Sequence, residues 1–198
     1  MNDSNASGQG QTANGNFSVQ SLSLKVQKKV LGKMTSRNVA KRFVSDTTAE
    51  ILDNLYKLLK QHYTKKDAEK VIKNILKLTI KLGVLVRNDQ LSCAQRKQLN
   101  VFLMKFRQIC LTCISFRSVE FSYDQKYLSD LLEKCRQTLK PIIDVHLSDK
   151  SDQRLQHVFN FVNDGHFLDA VFKRIDQTEN FLDKVCANLN IAMENGEI

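Results

Sequence analysis

One stretch in the first half of the chain constrains the fold more than any other: residues 70–88, KVIKNILKLTIKLGVLVRN. On a helix, at about 100° per residue, its lysines form one narrow stripe: Lys70, Lys73, Lys77 and Lys81. The apolar residues cover most of the remaining circumference, which is a wider arc than a surface helix usually shows. The sequence therefore predicts a helix at the centre of a bundle, with only its lysine edge exposed to water.

The wide apolar arc has two interpretations. It either packs a solid core, which is the commoner use of a stripe of Leu and Ile, or it lines an apolar cavity. Arg87 lies at the border of the arc, so in the second case it places a cation at the cavity mouth. A filled core suits an adaptor that works through protein contacts, whereas an open channel suits a lipid carrier.

The composition favours long helices in a single domain. The 198 residues include one proline and seven glycines, and three of these glycines fall within the first 15 residues, so the body of the chain has few helix breakers. Residues 1–16, rich in Asn, Gly, Ser and Gln, are predicted to form a disordered polar tail, and residues 17–198 a helical domain. The polar start does not resemble a secretory signal, so we expect a cytoplasmic protein.

From Phe17 the pattern predicts a basic amphipathic first helix. One face carries four apolar residues: Val19, Leu22, Val26 and Val30. Lys25, Lys28 and Lys29 lie beside this face. Such a helix either lies on an anionic membrane or docks on the bundle with a solvated lysine edge.

Start signals divide the rest of the chain into further helices. We expect N-caps at these positions: Thr47, Thr64, Ser92, Asp124, Ser148 or Ser151, and Thr178. Residues 115–123 are predicted to be an extended loop, and Pro141 is expected to kink or restart its helix. The sequence thus predicts an all-α fold, a single bundle of six to eight mostly antiparallel helices without a convincing sheet.

Charge is unevenly distributed along the chain. Residues 1–110 hold 20 basic and 7 acidic side chains, whereas residues 111–198 hold 10 and 14. A one-sided basic surface attracts anions such as nucleic acid, acidic lipid or acidic protein. Single-stranded nucleic acid is usually bound by aromatic side chains between basic ones, and residues 25–42 contain none, so we expect no nucleic-acid partner.

No catalytic constellation is apparent, and we expect neither enzyme activity nor a cofactor or metal. Phosphate-binding glycine loops, zinc-protease motifs and nucleophile elbows are all missing. The four histidines are scattered without metal-ligand spacing. The five cysteines lie in helical patterns and include only one CxxC pair, which favours small buried side chains in a reducing compartment.

An anionic lipid fits more of these features than other ligands do. Such a ligand needs an apolar volume for its acyl chains and cations for its phosphates. The arc of residues 76–86 can supply the volume, and Arg87 with Lys28 and Lys29 can supply the cations.

Five colinear segments resemble the TIPE family, the tumour-necrosis-factor-alpha-induced protein 8-like proteins. They are LKVQKKVLGKM (24–34), DTTAEILDNLY (46–56), AEKVIKNILKLTIKLGVLVRN (68–88), SFRSVEFSYD (115–124) and RLQHVFNFVNDGHFL (154–168). The resemblance implies a helical bundle around a large central apolar cavity, related in mirror-image topology to a death effector domain. It also implies phosphoinositide binding, transfer of such lipids by some members, and regulation of cell death, inflammation and growth.

The resemblance also suggests individual site residues. Arg87 matches an arginine at the cavity mouth, and Lys28 and Lys29 match paired lysines of the first helix. Leu103 stands where a basic rim residue is expected, with Lys105 and Arg107 nearby. The predicted head-group set is therefore Arg87, Lys28, Lys29, Lys105 and Arg107, and the predicted cavity lining is Ile75, Leu76, Ile80, Leu82, Phe102 and Phe106.

These observations lead to one functional hypothesis and one alternative. The first is a non-enzymatic cytoplasmic regulator of apoptosis and of immune or stress signalling, peripherally associated with membranes. In this hypothesis the protein binds phosphoinositides, and a stronger version of the hypothesis adds their transfer between membranes. Its partners are anionic membranes and signalling proteins. The alternative is a death-effector-like adaptor that acts only through protein contacts.

Overall fold

The structure is a computed structural model that describes residues 45–173 and 181–198. The predicted polar tail, the basic first helix with Lys28 and Lys29, and the cap at Thr178 lie outside these residues. They stay predictions.

The described part of the chain forms seven helices and no strand. They are α1 (Asp46–His62), α2 (Lys65–Arg87), α3 (Cys93–Ser118), α4 (Gln125–His146), α5 (Asp149–Val162), α6 (Gly165–Phe172) and α7 (Phe181–Glu194). Helix α1 packs on α7 and α2, α2 on α5, α5 on α4, and α3 on both α4 and α7. This arrangement confirms the predicted all-α bundle.

Helices α3 and α4 run antiparallel, as two hydrogen bonds between them show. Gln108 Nε2 donates to the Tyr127 hydroxyl at 3.1 Å, and His146 Nε2 lies 2.9 Å from Gln95 Oε1. Residue numbers thus fall along α3 as they rise along α4. This register determines which side chains of α3 and α4 face each other across the groove between the two helices.

Most of the predicted helix starts are confirmed. The Thr64 hydroxyl accepts from the Asp67 amide at 3.2 Å, and Asp124 caps α4 by accepting from the Tyr127 amide. Ser92 forms a capping box, because its side chain accepts from the Gln95 amide while the Gln95 side chain accepts from the Ser92 amide. Each such cap satisfies amide groups that the first helical turn leaves without a partner.

The start of α1 differs from the prediction. Ser45, not Thr47, is the N-cap, and its hydroxyl accepts from the Thr48 amide at 3.1 Å. Ser45 has an extended backbone, with φ −61° and ψ 162°, which places its side chain over the exposed amides. The helix therefore begins two residues before the position that the Thr47 and Glu50 spacing indicated.

One predicted interruption is shorter than expected, and another does not divide its helix. Helix α3 continues to Ser118, so residues 115–118 are helical and the connecting loop comprises only residues 119–124. The Arg117 guanidinium binds the Asp183 carboxylate of α7 through two hydrogen bonds, which holds the last turn of α3 against the bundle. Helix α4 runs through the exposed Pro141, so no new helix starts there.

The buried apolar side chains of the described bundle form four clusters, and two of these surround the stretch of α2 discussed above. The larger joins α1, α2, α4 and α6 through buried side chains that include Leu59, Val71, Leu128, Leu132 and Phe167. The smaller joins α2, α4 and α5 through Leu78, Leu139, Ile143 and Leu155. Phe102 of α3 packs against both clusters and connects them.

Four of the five cysteines belong to this interior, as predicted, and the fifth does not. Cys110, Cys135 and Cys186 are buried and Cys113 is half-buried, whereas Cys93 is exposed at the start of α3. Burial raises the pKa of Cys110 and of Cys135 to about 12, and that of Cys186 to about 11. Since the thiolate is the reactive form, these three thiols should be inert in the folded protein.

At neutral pH, a thiol reagent added to the native protein should therefore react quickly with Cys93 and with no other cysteine. The four other thiols should react only when denaturant unfolds the bundle. A chromogenic disulfide reagent measures the number of fast thiols, and Cys93→Ser serves as the control that should remove the fast phase. Fast labelling of two or more thiols in the native protein would contradict this packing.

Candidate functional site

The stretch of α2 that was predicted to be core or cavity wall packs on apolar clusters. Leu76 is buried, and Leu82 packs on the cluster of Leu78 and Ile143. Ile75 packs on the larger cluster. In the described part of the chain these side chains thus contribute to the packed interior.

The six residues predicted to line a cavity lie at different depths in the described structure, and their role as a cavity lining stays a prediction. Ile80 is half-buried, and Phe106 is 37% exposed and stacks on Phe102 with ring centroids 6.2 Å apart. Two cavities within residues 45–173 and 181–198 are open surface grooves, and neither is lined by any of the six. Phe102 packs instead against two of the apolar clusters.

The predicted head-group cations are separated on the surface. Arg87 is the last residue of α2 and is exposed. Arg107 donates through Nη1 to the carbonyl oxygen of Ile198 at 2.8 Å, so it faces the C-terminal end of α7. Lys105 lies on another side of α3 and lines the groove toward α4. The described structure thus does not bring these three cations into one cluster.

Helix α3 exposes an unusual amount of apolar surface. Among the described residues it is the one helix that is long and apolar enough to cross a membrane by length and composition. Its packing on α4 and α7, and the charged Lys105 and Arg107 near its middle, make it a helix of this bundle. Only Ile109 and Cys110 are buried in its 26 residues.

We use the name apolar strip for Leu103, Met104 and Leu111 on the outer side of α3. Their side chains are 51%, 68% and 50% exposed. At 100° per residue they lie away from Phe102 and Ile109, which face the core. Sequence reasoning missed the strip, although the signal was present: these residues fall off the core-facing side of an otherwise regular helical pattern.

The α3–α4 groove lies beside the apolar strip and has a volume of about 530 Å³. It is lined by Lys97, Gln98, Val101 and Lys105 of α3 and by Lys134, Gln137 and Thr138 of α4. Val101 is 42% exposed and lies one helical turn before Met104 of the apolar strip. The groove therefore combines cations with an apolar edge.

The lysine stripe of α2 is less exposed than predicted. Lys77 and Lys81 are half-buried along the seam with α5, and Lys81 Nζ donates to the buried Ser151 hydroxyl at 2.7 Å. Burial, and then the neighbouring Arg154, lower the pKa of both lysines. The seam is consequently positive but narrow, since α5 covers part of it.

The remaining polar side chains suggest packing roles. His157 stacks on Phe161 with ring centroids 4.8 Å apart, and His62 meets the edge of Phe167. The described residues contain no group of three or more His, Cys, Asp or Glu side chains that could hold a metal ion. The features that fit a ligand are the apolar strip and the α3–α4 groove.

Comparison with known proteins places the chain in a family. Residues 17–196 match the family model described as "Tumor necrosis factor alpha-induced protein 8-like". The chain is 42% identical to the tumor necrosis factor alpha-induced protein 8-like protein of Drosophila pseudoobscura pseudoobscura, over 92% of this chain and 97% of that protein. It is 37% identical to human tumor necrosis factor alpha-induced protein 8, over 92% of each chain.

The similarity also extends to a solved structure. The C-terminal region of G-protein interacting protein 1 from Dictyostelium discoideum aligns with a TM-score of 0.59 and 18% identity, covering 78% of this chain and 95% of that one. At this identity the likeness concerns the helical fold. The match of the family model over nearly the whole chain, and the 42% identity to a relative, show that the protein belongs to the tumor necrosis factor alpha-induced protein 8-like family.

Proposed function

We propose that this protein is a non-enzymatic cytoplasmic regulator of apoptosis and of immune or stress signalling that binds phosphoinositides at membrane surfaces. Family membership supports a role as a regulator. The single observation that carries the lipid part is the apolar strip of α3, which leaves three large apolar side chains about half exposed or more next to Lys105 and Arg107.

The free energies expected from apolar burial and from charge attraction favour a bilayer that contains anionic lipid. Complete burial of one large apolar side chain contributes about 1.5–3 kcal/mol, so three that are already partly covered contribute a few kcal/mol. That amount alone gives only weak, reversible binding. Each basic residue near an anionic surface adds roughly 1 kcal/mol. Binding should therefore require phosphoinositide or another anionic lipid in addition to bilayer.

The packed interior favours binding at the surface over enclosure of acyl chains. A lipid inserted along α2 would have to displace side chains such as Leu78, which is buried in the smaller cluster, or Phe102, which packs against both clusters. Displacing well-packed core side chains costs several kcal/mol. We therefore propose phosphoinositide binding and leave transfer between membranes outside the proposal.

The same packed interior supports the second candidate function, an adaptor that acts through protein contacts alone. Exposed apolar surface also marks protein interfaces. The structural neighbour is part of a G-protein interacting protein, and this name supports a protein partner. In that case the apolar strip binds a signalling protein, and vesicles have no effect on it.

Vesicle flotation separates the two functions. Native protein should float with phosphatidylcholine vesicles that contain phosphatidylinositol 4,5-bisphosphate and remain behind with phosphatidylcholine alone. The double variant Met104→Glu and Leu111→Glu should lose at least about tenfold in vesicle affinity, because it puts two carboxylates where the bilayer would contact the strip.

Val145→Glu is the matched control for this experiment. Val145 is 67% exposed on α4, so this variant adds a carboxylate at another exposed apolar site. It should float like the native protein. Retention of the double variant at the native level, or failure of the native protein to float, would contradict phosphoinositide binding through the strip and favour the adaptor.

A further inference from the structure

The loop between α3 and α4 exposes one aromatic ring completely. Phe121 is 101% exposed, more than any other large apolar side chain of the described residues, and Val119 in the same loop is 55% exposed. Single apolar side chains on a protein surface are common and need no explanation by themselves. What distinguishes Phe121 is the backbone conformation that holds its ring in water.

Phe121 has a left-handed backbone, with φ 60°. The Ser122 amide donates to the Val119 carbonyl at 3.4 Å and the Ser122 hydroxyl donates to the same carbonyl at 2.6 Å, which closes residues 119–122 into a turn. We call these four residues the aromatic turn. Its third position, held by Phe121, is the one where a positive φ normally requires glycine. Apart from glycine, one other described residue, Asp89, has a positive φ, and a short Asp side chain tolerates it better than a bulky ring.

Contacts on both sides hold the aromatic turn in place. Before the turn, Arg117 binds Asp183 of α7 through two hydrogen bonds. After it, the Tyr123 hydroxyl donates to Asp169 Oδ1 at 3.0 Å, and the Tyr123 ring stacks on Phe172 with centroids 5.2 Å apart. Backbone strain in a segment that its neighbours fix on both sides is typical of functional positions, so the exposed ring is a candidate contact.

The aromatic turn extends the apolar strip of α3. Ser115 lies four residues after Leu111 and therefore on the same side of the helix. Ser122 Oγ lies 3.4 Å from the Ser115 carbonyl oxygen, so the turn folds back on that side. Leu111 and Ser118, the last residue of α3, are about 10 Å apart along the helix axis. One flat apolar surface can thus contact the strip and Phe121 at the same time.

Charge and shape favour an anionic bilayer as this surface. Residues 93–123 hold five basic side chains and one acidic side chain, Glu120. The ring projects from a turn, and neither of the two grooves found on the described residues is lined by any of residues 119–122. A projecting aromatic ring at the end of an apolar strip suits the interface of a bilayer, where aromatic side chains are enriched. A pocket of a partner protein is the alternative contact for the ring.

We propose that Phe121 is a membrane anchor that inserts into an anionic bilayer beside the apolar strip. This inference rests on the proposed function, because it adds a second contact with the same membrane surface. Contact at both the strip and the ring holds α3 roughly parallel to the membrane. The strain at Phe121 is then the consequence of presenting a ring at a position where glycine would be relaxed.

Flotation and urea unfolding of the full chain together test the anchor. Phe121→Ala should lose at least about fivefold in affinity for phosphatidylcholine vesicles that contain phosphatidylinositol 4,5-bisphosphate, because the bilayer no longer takes up the ring. Phe121→Gly should lose as much affinity, yet it should unfold at a higher urea concentration than the native protein, because glycine relaxes the positive φ. Unfolding of both variants at a lower urea concentration than the native protein would overturn the proposal, since the ring would then stabilise the fold.

Two further variants complete the test. Val145→Ala, at a site 67% exposed on α4, is the matched control and should stay within about twofold of the native vesicle affinity. Phe121→Trp should be quenched by lipids with brominated acyl chains. Native-level flotation of Phe121→Ala, or unquenched Phe121→Trp on bound vesicles, would overturn the anchor, favour a partner protein for the ring and leave membrane binding through the strip standing. Failure of the native protein to float would overturn both.

Discussion

Phe102→Ala is expected to lower the free energy of unfolding by about 3 kcal/mol, although the ring is only half-buried. Phe102 packs against both apolar clusters, and the smaller of these contains Leu78 and Leu139. Removing the ring takes apolar area out of contact and leaves a void that closely packed neighbours cannot fill completely. The loss is a large fraction of the usual stability of a domain.

Urea unfolding followed by circular dichroism measures this change, and Phe106→Ala is the matched control. Phe106 lies one turn further along α3, is 37% exposed and contacts Phe102 by stacking. Its truncation should cost about 1 kcal/mol or less. Similar free energies of unfolding for the two variants would contradict the packing of Phe102 against both apolar clusters.

The sequence allowed the bundle to be predicted because local signals specified the helices independently. The apolar period of residues 70–88 and the hydroxyl of Thr64 define α2 without reference to the rest of the chain. Ser92 and Gln95 define the start of α3 in the same way. The cap at Ser45 was missed because Thr47 has equally suitable spacing, and only the backbone conformation distinguishes them.

The candidate site was less predictable because it depends on how helices meet. Periodicity shows that Leu78 and Phe102 face inward, but not whether the space between them is filled. The α3–α4 groove needs Lys134 opposite Val101, which is set by the register of two helices that the sequence does not give. Arg107 was assigned to a lipid from its position in the chain, while its partner, Ile198, lies 91 residues away.

A single tryptophan provides the most direct test of the claim that the apolar strip meets the membrane. The sequence contains no tryptophan, so Met104→Trp introduces one fluorophore at a side chain that is 68% exposed. An amphipathic indole ring is well suited to the membrane interface, so the substitution should preserve binding. Val145→Trp, at a site 67% exposed on α4, is the control.

The measurement is the emission spectrum of each variant with and without vesicles containing phosphatidylinositol 4,5-bisphosphate. Met104→Trp emission should shift to the blue and be quenched by lipids with brominated acyl chains, because the ring leaves water for the bilayer. Val145→Trp should keep the emission of a water-exposed ring. Unchanged Met104→Trp emission while the protein is bound to vesicles, or an equal shift at both positions, would contradict membrane contact through the apolar strip.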